Sequence, residues 1–325
     1  MFPGCAPIIL IKKSRGNFEM IDYSDLKTEM RNPASAELDS MTTGEILDLF
    51  YREDLALVEA VRAEGGNIEK IIELAYETIN SGGRVFYVGA GTSGRLGVLD
   101  ASEIRPTFGV REKLFVGVIA GGRRALTTAV EGAEDEKEGA LRQLEKNSFG
   151  KERREMVIGI TASGMTPFVL GALEHARNGG HSTALITCNL IVGRKYAGSF
   201  DAIAAPDVGS EVISGSTRLK SGTATKMILN MISSTTMIKM GKVYKNYMVD
   251  LTPTCKKLVE RSLRMLSDLC GTDRDEGLVL LEKAGMNVKR AVVMHDLRVG
   301  RKKAEQLLAE NSGMLRRALA CGRGL

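Results

Sequence analysis

Histidine and cysteine are scarce in this 325-residue chain, and neither is clustered. The three histidines, His175, His181 and His295, fall at no metal-ligand spacing, so the sequence gives metal catalysis no support. The five cysteines, Cys5, Cys188, Cys255, Cys270 and Cys321, form no CxxC pair. An odd, scattered set reads as reduced thiols of a cytoplasmic protein, not as a disulfide framework. Long apolar runs are missing too. The run at 6–11 is too short to span a bilayer and lacks the basic region that opens a secretory signal. A net charge of +5, spread along the chain without zinc-finger spacing or an aromatic RNA-binding signature, argues against a nucleic-acid partner. The expectation is a protein with no metal, no cofactor, no nucleic acid and no membrane.

What is present is a globular composition, 43% apolar and 26% charged, and a clear change of period along the chain. Apolar residues recur at helical spacing from 43 to 78, with a break at Gly65-Gly66. Short apolar runs at 85–88, 114–119, 156–160, 183–187 and 202–205 then read as strands. Helical stretches separate or follow them at 96–103, 125–145, 167–177 and 218–240. This alternation predicts an α/β fold, a doubly wound αβα sandwich on a five-stranded parallel sheet. Beyond residue 252 only helical patterns remain, at 258–269, 274–284, 287–294 and 301–311. The expected division is an N-terminal arm at 1–45, a catalytic domain at 46–252 and a small helical domain at 253–325.

The first strand runs into Gly89-Ala90-Gly91-Thr92-Ser93-Gly94, which matches GxGxxG. A dinucleotide site also needs an acidic residue at the end of the next strand, and there the chain has Ala120-Gly121-Gly122. A P-loop needs a lysine after the last glycine, and none is there. Thr92 and Ser93 stand where a helix opens, so they can donate to an anion held by free amides; equally, they can cap the helix. The third strand leads into a second hydroxyl-rich turn, Thr161-Ala162-Ser163-Gly164-Met165-Thr166-Pro167. Two such loops at the carboxyl ends of parallel strands suit one phosphate monoester.

The two loops resemble those of the sugar isomerase (SIS) domain, a phosphosugar-binding fold. Four longer segments are similar to the N-acetylmuramic acid 6-phosphate etherase family, which is related to the glucokinase regulatory proteins. They are Thr28-Glu29-Met30-Arg31-Asn32, the stretch 91–103, Val130-Glu131-Gly132-Ala133-Glu134-Asp135 and the stretch 215–224. The tail resembles a ubiquitin-associated-like (UBA-like) helical module, best at 284–291.

The resemblance implies a carbon–oxygen lyase that cleaves the lactyl ether of N-acetylmuramic acid 6-phosphate by β-elimination and hydration, in cell-wall amino-sugar recycling. It implies a catalytic pair: Glu103, the acid that protonates lactate, and Glu134, the base that removes the C2 proton. It gives the phosphate to Gly91, Thr92, Ser93, Ser163, Gly164 and Thr166, and the sugar to Glu211 with Ser214 and Thr217 nearby. It also implies a homodimer. The alternatives are a non-catalytic phosphosugar-binding regulator and a phosphosugar isomerase. Two departures stand out: Ile104-Arg105-Pro106 after Glu103, and Met165 where the second loop commonly carries a basic residue.

Overall fold

The computed structural model describes residues 10–12, 18–20, 26–110, 113–151, 154–251, 253 and 255–324. Cys5 and most of the apolar run at 6–11 lie outside them. An antiparallel pair, β1 (Leu10–Lys12) and β2 (Phe18–Met20), precedes the main body. Helices α1 (Thr43–Ala63) and α2 (Gly65–Asn80) follow. A capping box starts α1, with Thr42 and Glu45 each accepting from the other's backbone N–H.

Next come β3 (Val85–Gly89), α3 (Gly91–Phe108), β4 (Phe115–Ile119), α4 (Lys137–Lys146) and β5 (Met156–Ile160). They are followed by α5 (Pro167–Asn178), β6 (Ser182–Ile186), α6 (Leu190–Lys195), β7 (Ala202–Ala204) and the long α7 (Lys220–Lys239). Strands β3 to β7 form one parallel sheet in the order β4-β3-β5-β6-β7, the five-stranded doubly wound arrangement expected. Successive side chains point to opposite faces. Val85 and Tyr87 therefore join a layer with α1, α2, α3 and α7, while Phe86 and Val88 join one with α4, α5 and α6. With both faces covered, the strands can be apolar along their whole length.

The chain winds outward from β3 to β4, then returns to place β5 on the other side of β3. The crevice above the carboxyl ends of β3 and β5 is thus the topological switch point, where such sheets bind ligands. Helix α3 approaches the sheet there more closely than a side chain would allow. A Cβ at Gly94 would lie 2.6 Å from Ile119 Cγ1 and 2.7 Å from the Gly89 carbonyl oxygen. Gly89 and Gly94 of the GxGxxG pattern serve this contact.

Three expectations differ from what is found. The stretch 125–145 is not one helix: a 3-10 turn (Gly122–Leu126) and an irregular loop precede α4. Gly121, Gly122 and Gly132 all take positive φ there, which breaks helical geometry. Helix α3 does not end near Glu103 but runs through Pro106 to Phe108, and stops at Gly109 with φ +65°. The short α6 falls in a stretch that gives no helical signal of its own length.

Beyond α7, a two-residue hairpin of β8 (Val243–Tyr244) and β9 (Tyr247–Met248) leads into five helices. They are α8 (Lys256–Cys270), α9 (Arg274–Lys283), α10 (Val288–Leu297), α11 (Arg301–Glu310) and α12 (Leu315–Gly322). They share a separate apolar core that includes Val249, Leu266, Leu281, Val292 and Leu319. The sequence pattern gave four of these helices; α12 is eight residues long and too short to show a period.

One buried carboxyl lies between α3 and α7. Asp100 is 6% exposed; its Oδ1 accepts from Ser233 Oγ at 3.1 Å, and its Oδ2 has no hydrogen-bond partner among the described residues. Burial raises its pKa to about 6, outweighing the opposing effects of Ser233, Tyr87 and Lys226. The fold thus holds the proton more tightly than the unfolded chain does. Stability falls as pH rises from about 4 to about 6, and the cost of the buried charge persists above that range. Asp100→Asn is expected to stabilise the protein at neutral pH by roughly 2–3 kcal/mol. Urea unfolding at about pH 7.5 and about pH 4.5 checks this, since an advantage equal at both would contradict it.

Candidate active site

Strand β3 ends in Ala90, which is extended, and Gly91, with φ +52°, turns the chain directly into α3. Among the described residues no side chain caps this helix, which leaves the amides of its first turn free, and neither Thr92 nor Ser93 is used as a cap. Both hydroxyls line a cleft of about 250 Å³.

The facing loop follows β5 and is built around Thr161. Its buried hydroxyl pairs with Thr166 Oγ1 at 2.8 Å and accepts from the Gly164 N–H at 3.2 Å. Ser163 Oγ accepts from the Met165 N–H at 3.2 Å. Gly164 takes φ +77°, and a Cβ there would come within 2.5 Å of Val192 Cγ1. Gly164 therefore shapes the turn, while Ser163 and Thr166 line the cleft. Pro167 opens α5, where its missing N–H costs nothing. Met165 points the other way and is fully buried in the core, so the departure at this position does not reach the cleft.

The loop before α4 supplies Glu134 and Asp135 to the same cleft. The Phe168 N–H donates to the Glu134 carbonyl at 2.9 Å, which ties this loop to the first turn of α5. Glu134 also lines an adjoining cavity of about 220 Å³, which shares Ala90 and Gly91 with the first.

A strap from the N-terminal region crosses the same end of the sheet. Leu26 and Thr28 are fully buried, and Lys27 pairs with Asp207 at 2.5 Å. Asn32 donates to Glu53 at 3.0 Å and to the Ser210 carbonyl at 3.3 Å, while Lys220 pairs with the same Glu53. Fastened this way, the strap brings Glu29 to the cleft wall. The sequence marks Thr28-Glu29-Met30-Arg31-Asn32 as a family-like motif but gives Glu29 no site role of its own.

The segment before α7 contributes Gly215 and Thr217 to the cleft; Ser214 is exposed beside them. Glu211 is not part of the lining. It is fully buried, accepting from the Lys220 N–H at 2.9 Å, the Ser221 N–H at 3.0 Å and Ser221 Oγ at 2.7 Å. Its two oxygens cap the start of α7. Glu103 is also apart. It is exposed on α3 twelve residues after Gly91, about 18 Å along the helix axis, and lines neither cavity.

One chain thus joins two hydroxyl-and-amide loops, suited to an anion, to a wall of carboxylates: Glu29, Glu134 and Asp135. Such a site can hold a phosphate monoester and present a base to the carbon chain attached to it.

Comparison with known proteins bears on that chemistry. A family model described as the glucokinase regulatory protein N-terminal SIS domain matches residues 67–177. An N-acetylmuramic acid 6-phosphate etherase from Staphylococcus epidermidis is 44% identical over 294 residues, covering 90% of this chain and 98% of that relative. A protein of the same description from Geobacillus thermodenitrificans is 46% identical over 295 residues, with 90% and 98% covered. Among solved structures, a phosphoheptose isomerase from Francisella tularensis aligns with a TM-score of 0.44 at 16% identity, covering 61% of this chain and all of that one.

The capping role of Glu211 has a direct consequence. Glu211→Ala would leave two buried amides and a buried hydroxyl without their acceptor. The expected loss of stability is roughly 2–4 kcal/mol, read from urea unfolding. A variant as stable as the parent would contradict this role.

Proposed function

The chain belongs to the N-acetylmuramic acid 6-phosphate etherase family, and from that premise we propose that it hydrolytically removes D-lactate from N-acetylmuramic acid 6-phosphate, leaving N-acetylglucosamine 6-phosphate. The observation that carries this reading is the meeting of the two phosphate-suited loops with Glu134 in one cleft. Thr92, Ser93, Ser163 and Thr166, with the first amides of α3, hold the phosphate. The sugar in its open form has an aldehyde at C1, which acidifies the C2 proton. Glu134 takes that proton, the C3–oxygen bond breaks, and the departing lactate oxygen is protonated. Water then adds across the C2–C3 double bond, its oxygen going to C3 and a proton to C2. Proton transfer by positioned carboxyls suffices for each step, which makes the reaction class a carbon–oxygen lyase. Glu211 acts indirectly, by fixing the start of α7 behind Gly215 and Thr217. The site of action is the cytoplasm.

We assign protonation of lactate to Glu103, supplied by a second copy of the chain in a homodimer. Two observations support this. Glu103 lies about 18 Å along α3 from Gly91 at the phosphate end of its own cleft, and it lines neither cavity that Glu134 lines. Leu99, four residues earlier and so on the same face of α3, is 46% exposed, and Leu47, Tyr51 and Leu55 on α1 are exposed as well. Apolar groups exposed in this way suit a contact between copies.

Incubation with N-acetylmuramic acid 6-phosphate in ¹⁸O-water is expected to release D-lactate and put the label on C3 of the product sugar. Folded protein that binds the phosphosugar and releases no lactate would rule the reading out in favour of a regulator or an isomerase. Glu103→Gln and Glu134→Gln are each expected to abolish lactate release. After unfolding and refolding together in equal amounts, half of the dimers are mixed and each mixed dimer has one intact site, so about a quarter of the parent activity returns. If the mixture stays inactive, both carboxylates act within one chain or the assignment of one of them is wrong.

A further inference from the structure

Glu134 stands in the wall between two cavities, and the phosphate grip occupies only one of them. The second has a different character. Ala120, Ala125, Ala129 and Val130 make much of its lining small and apolar, and Arg95 enters it from the first turns of α3. Arg95 is half-buried, and among the described residues it makes no hydrogen bond or ion pair. It is also the one cation lining either cavity among the described residues. An unpaired guanidinium held over a small apolar hollow is suited to a short carboxylate with an alkyl group attached.

Resting on the etherase reading above, we propose that this second cavity is the lactyl pocket, in which Arg95 pairs with the carboxylate of the ether substituent and the alanines receive its methyl group. The layout of the substrate agrees. Its two anions are the phosphate at C6 and the lactyl carboxylate attached at C3, with C3, whose bond to the lactyl oxygen breaks, on the path between them. A phosphate held by Thr92, Ser93, Ser163 and Thr166 lets the sugar chain extend toward Glu134, and the lactyl group can then enter the adjoining cavity that Glu134 and Arg95 both line. Glu131 also lines this cavity at its exposed rim and opposes an anion, which makes the guanidinium the more necessary. The bidentate fork of arginine matches a carboxylate better than a lysine does. After cleavage the same pairing holds D-lactate until it leaves.

The test uses Arg95→Gln and Arg95→Lys in the full chain. For lactate release, Arg95→Gln is expected to raise KM about 10- to 100-fold, with partial recovery in Arg95→Lys. Affinity for N-acetylglucosamine 6-phosphate, which has no lactyl group, should stay within about twofold of the parent, because the phosphate grip is untouched. D-lactate titrated into protein saturated with that product should bind the parent and not Arg95→Gln. Parallel loss of affinity for N-acetylglucosamine 6-phosphate would overturn the proposal by moving Arg95 to the phosphate or the fold, as would an unchanged KM. The D-lactate titration needs no turnover. A parent that binds D-lactate through Arg95 and releases none from substrate would defeat the etherase reading while leaving the pocket standing.

Discussion

The close contact of α3 with the sheet is the constraint on which the site depends. At Gly94 there is no room for a Cβ between Ile119 and the Gly89 carbonyl, so the helix begins at the very edge of the strand layer. Its free amides then open beside the loop that follows the neighbouring strand β5. Adjacent strands lie only about 4.8 Å apart, so the two loops are forced together by the strand order alone. Any residue larger than glycine at position 94 would lift the helix and separate them. Gly89 and Gly94 matter for how closely they let the helix approach, whereas Gly91 supplies the positive φ of the turn and lines the cleft.

The same geometry explains why the first strand and its loop were legible in the sequence. Strand, glycine turn and helix are contiguous at 85–108, and a local signal is enough to read them. The five strands and their order of appearance were legible for the same reason, each being a short apolar run between turns. The loop that carries Glu134 was not. Residues 125–145 have the composition of a helix, and only the positive φ angles at Gly121, Gly122 and Gly132 show why they do not form one. Glu29 could not be read as a site residue because the strap is held by partners about 180 positions away, Asp207 and Ser210. Glu211 shows the opposite case. A carboxylate nine residues before a helix gives no local hint of a cap, because the chain must first loop back to reach the amides of Lys220 and Ser221.

The strap also links regions that have no local connection. Asn32, Glu53, Lys220 and the Ser210 carbonyl join the N-terminal segment, α1 and the first turn of α7 in one polar cluster. Lys220 is almost wholly buried, and its ammonium is satisfied by that cluster. A buried ion pair of this kind adds little net stability, yet losing one partner is costly, so it favours a single arrangement of the three segments. Glu29 and Thr217, on opposite arms of the cluster, are held in register across the cleft as a result.

A charge balance follows from the lining. Three carboxylates, Glu29, Glu134 and Asp135, face a cleft suited to a phosphate, and among the described residues none of its lining groups is cationic. What the cleft offers an anion is the set of free amides at the start of α3 and the hydroxyls of the two loops, donors that carry only partial charge and act over about one turn. The full positive charge of Arg95 lies in the adjoining cavity, which Glu134 lines as well. The proposed anion binding and the proposed proton transfer thus fall to different kinds of group, neutral donors and carboxylates, within one cleft.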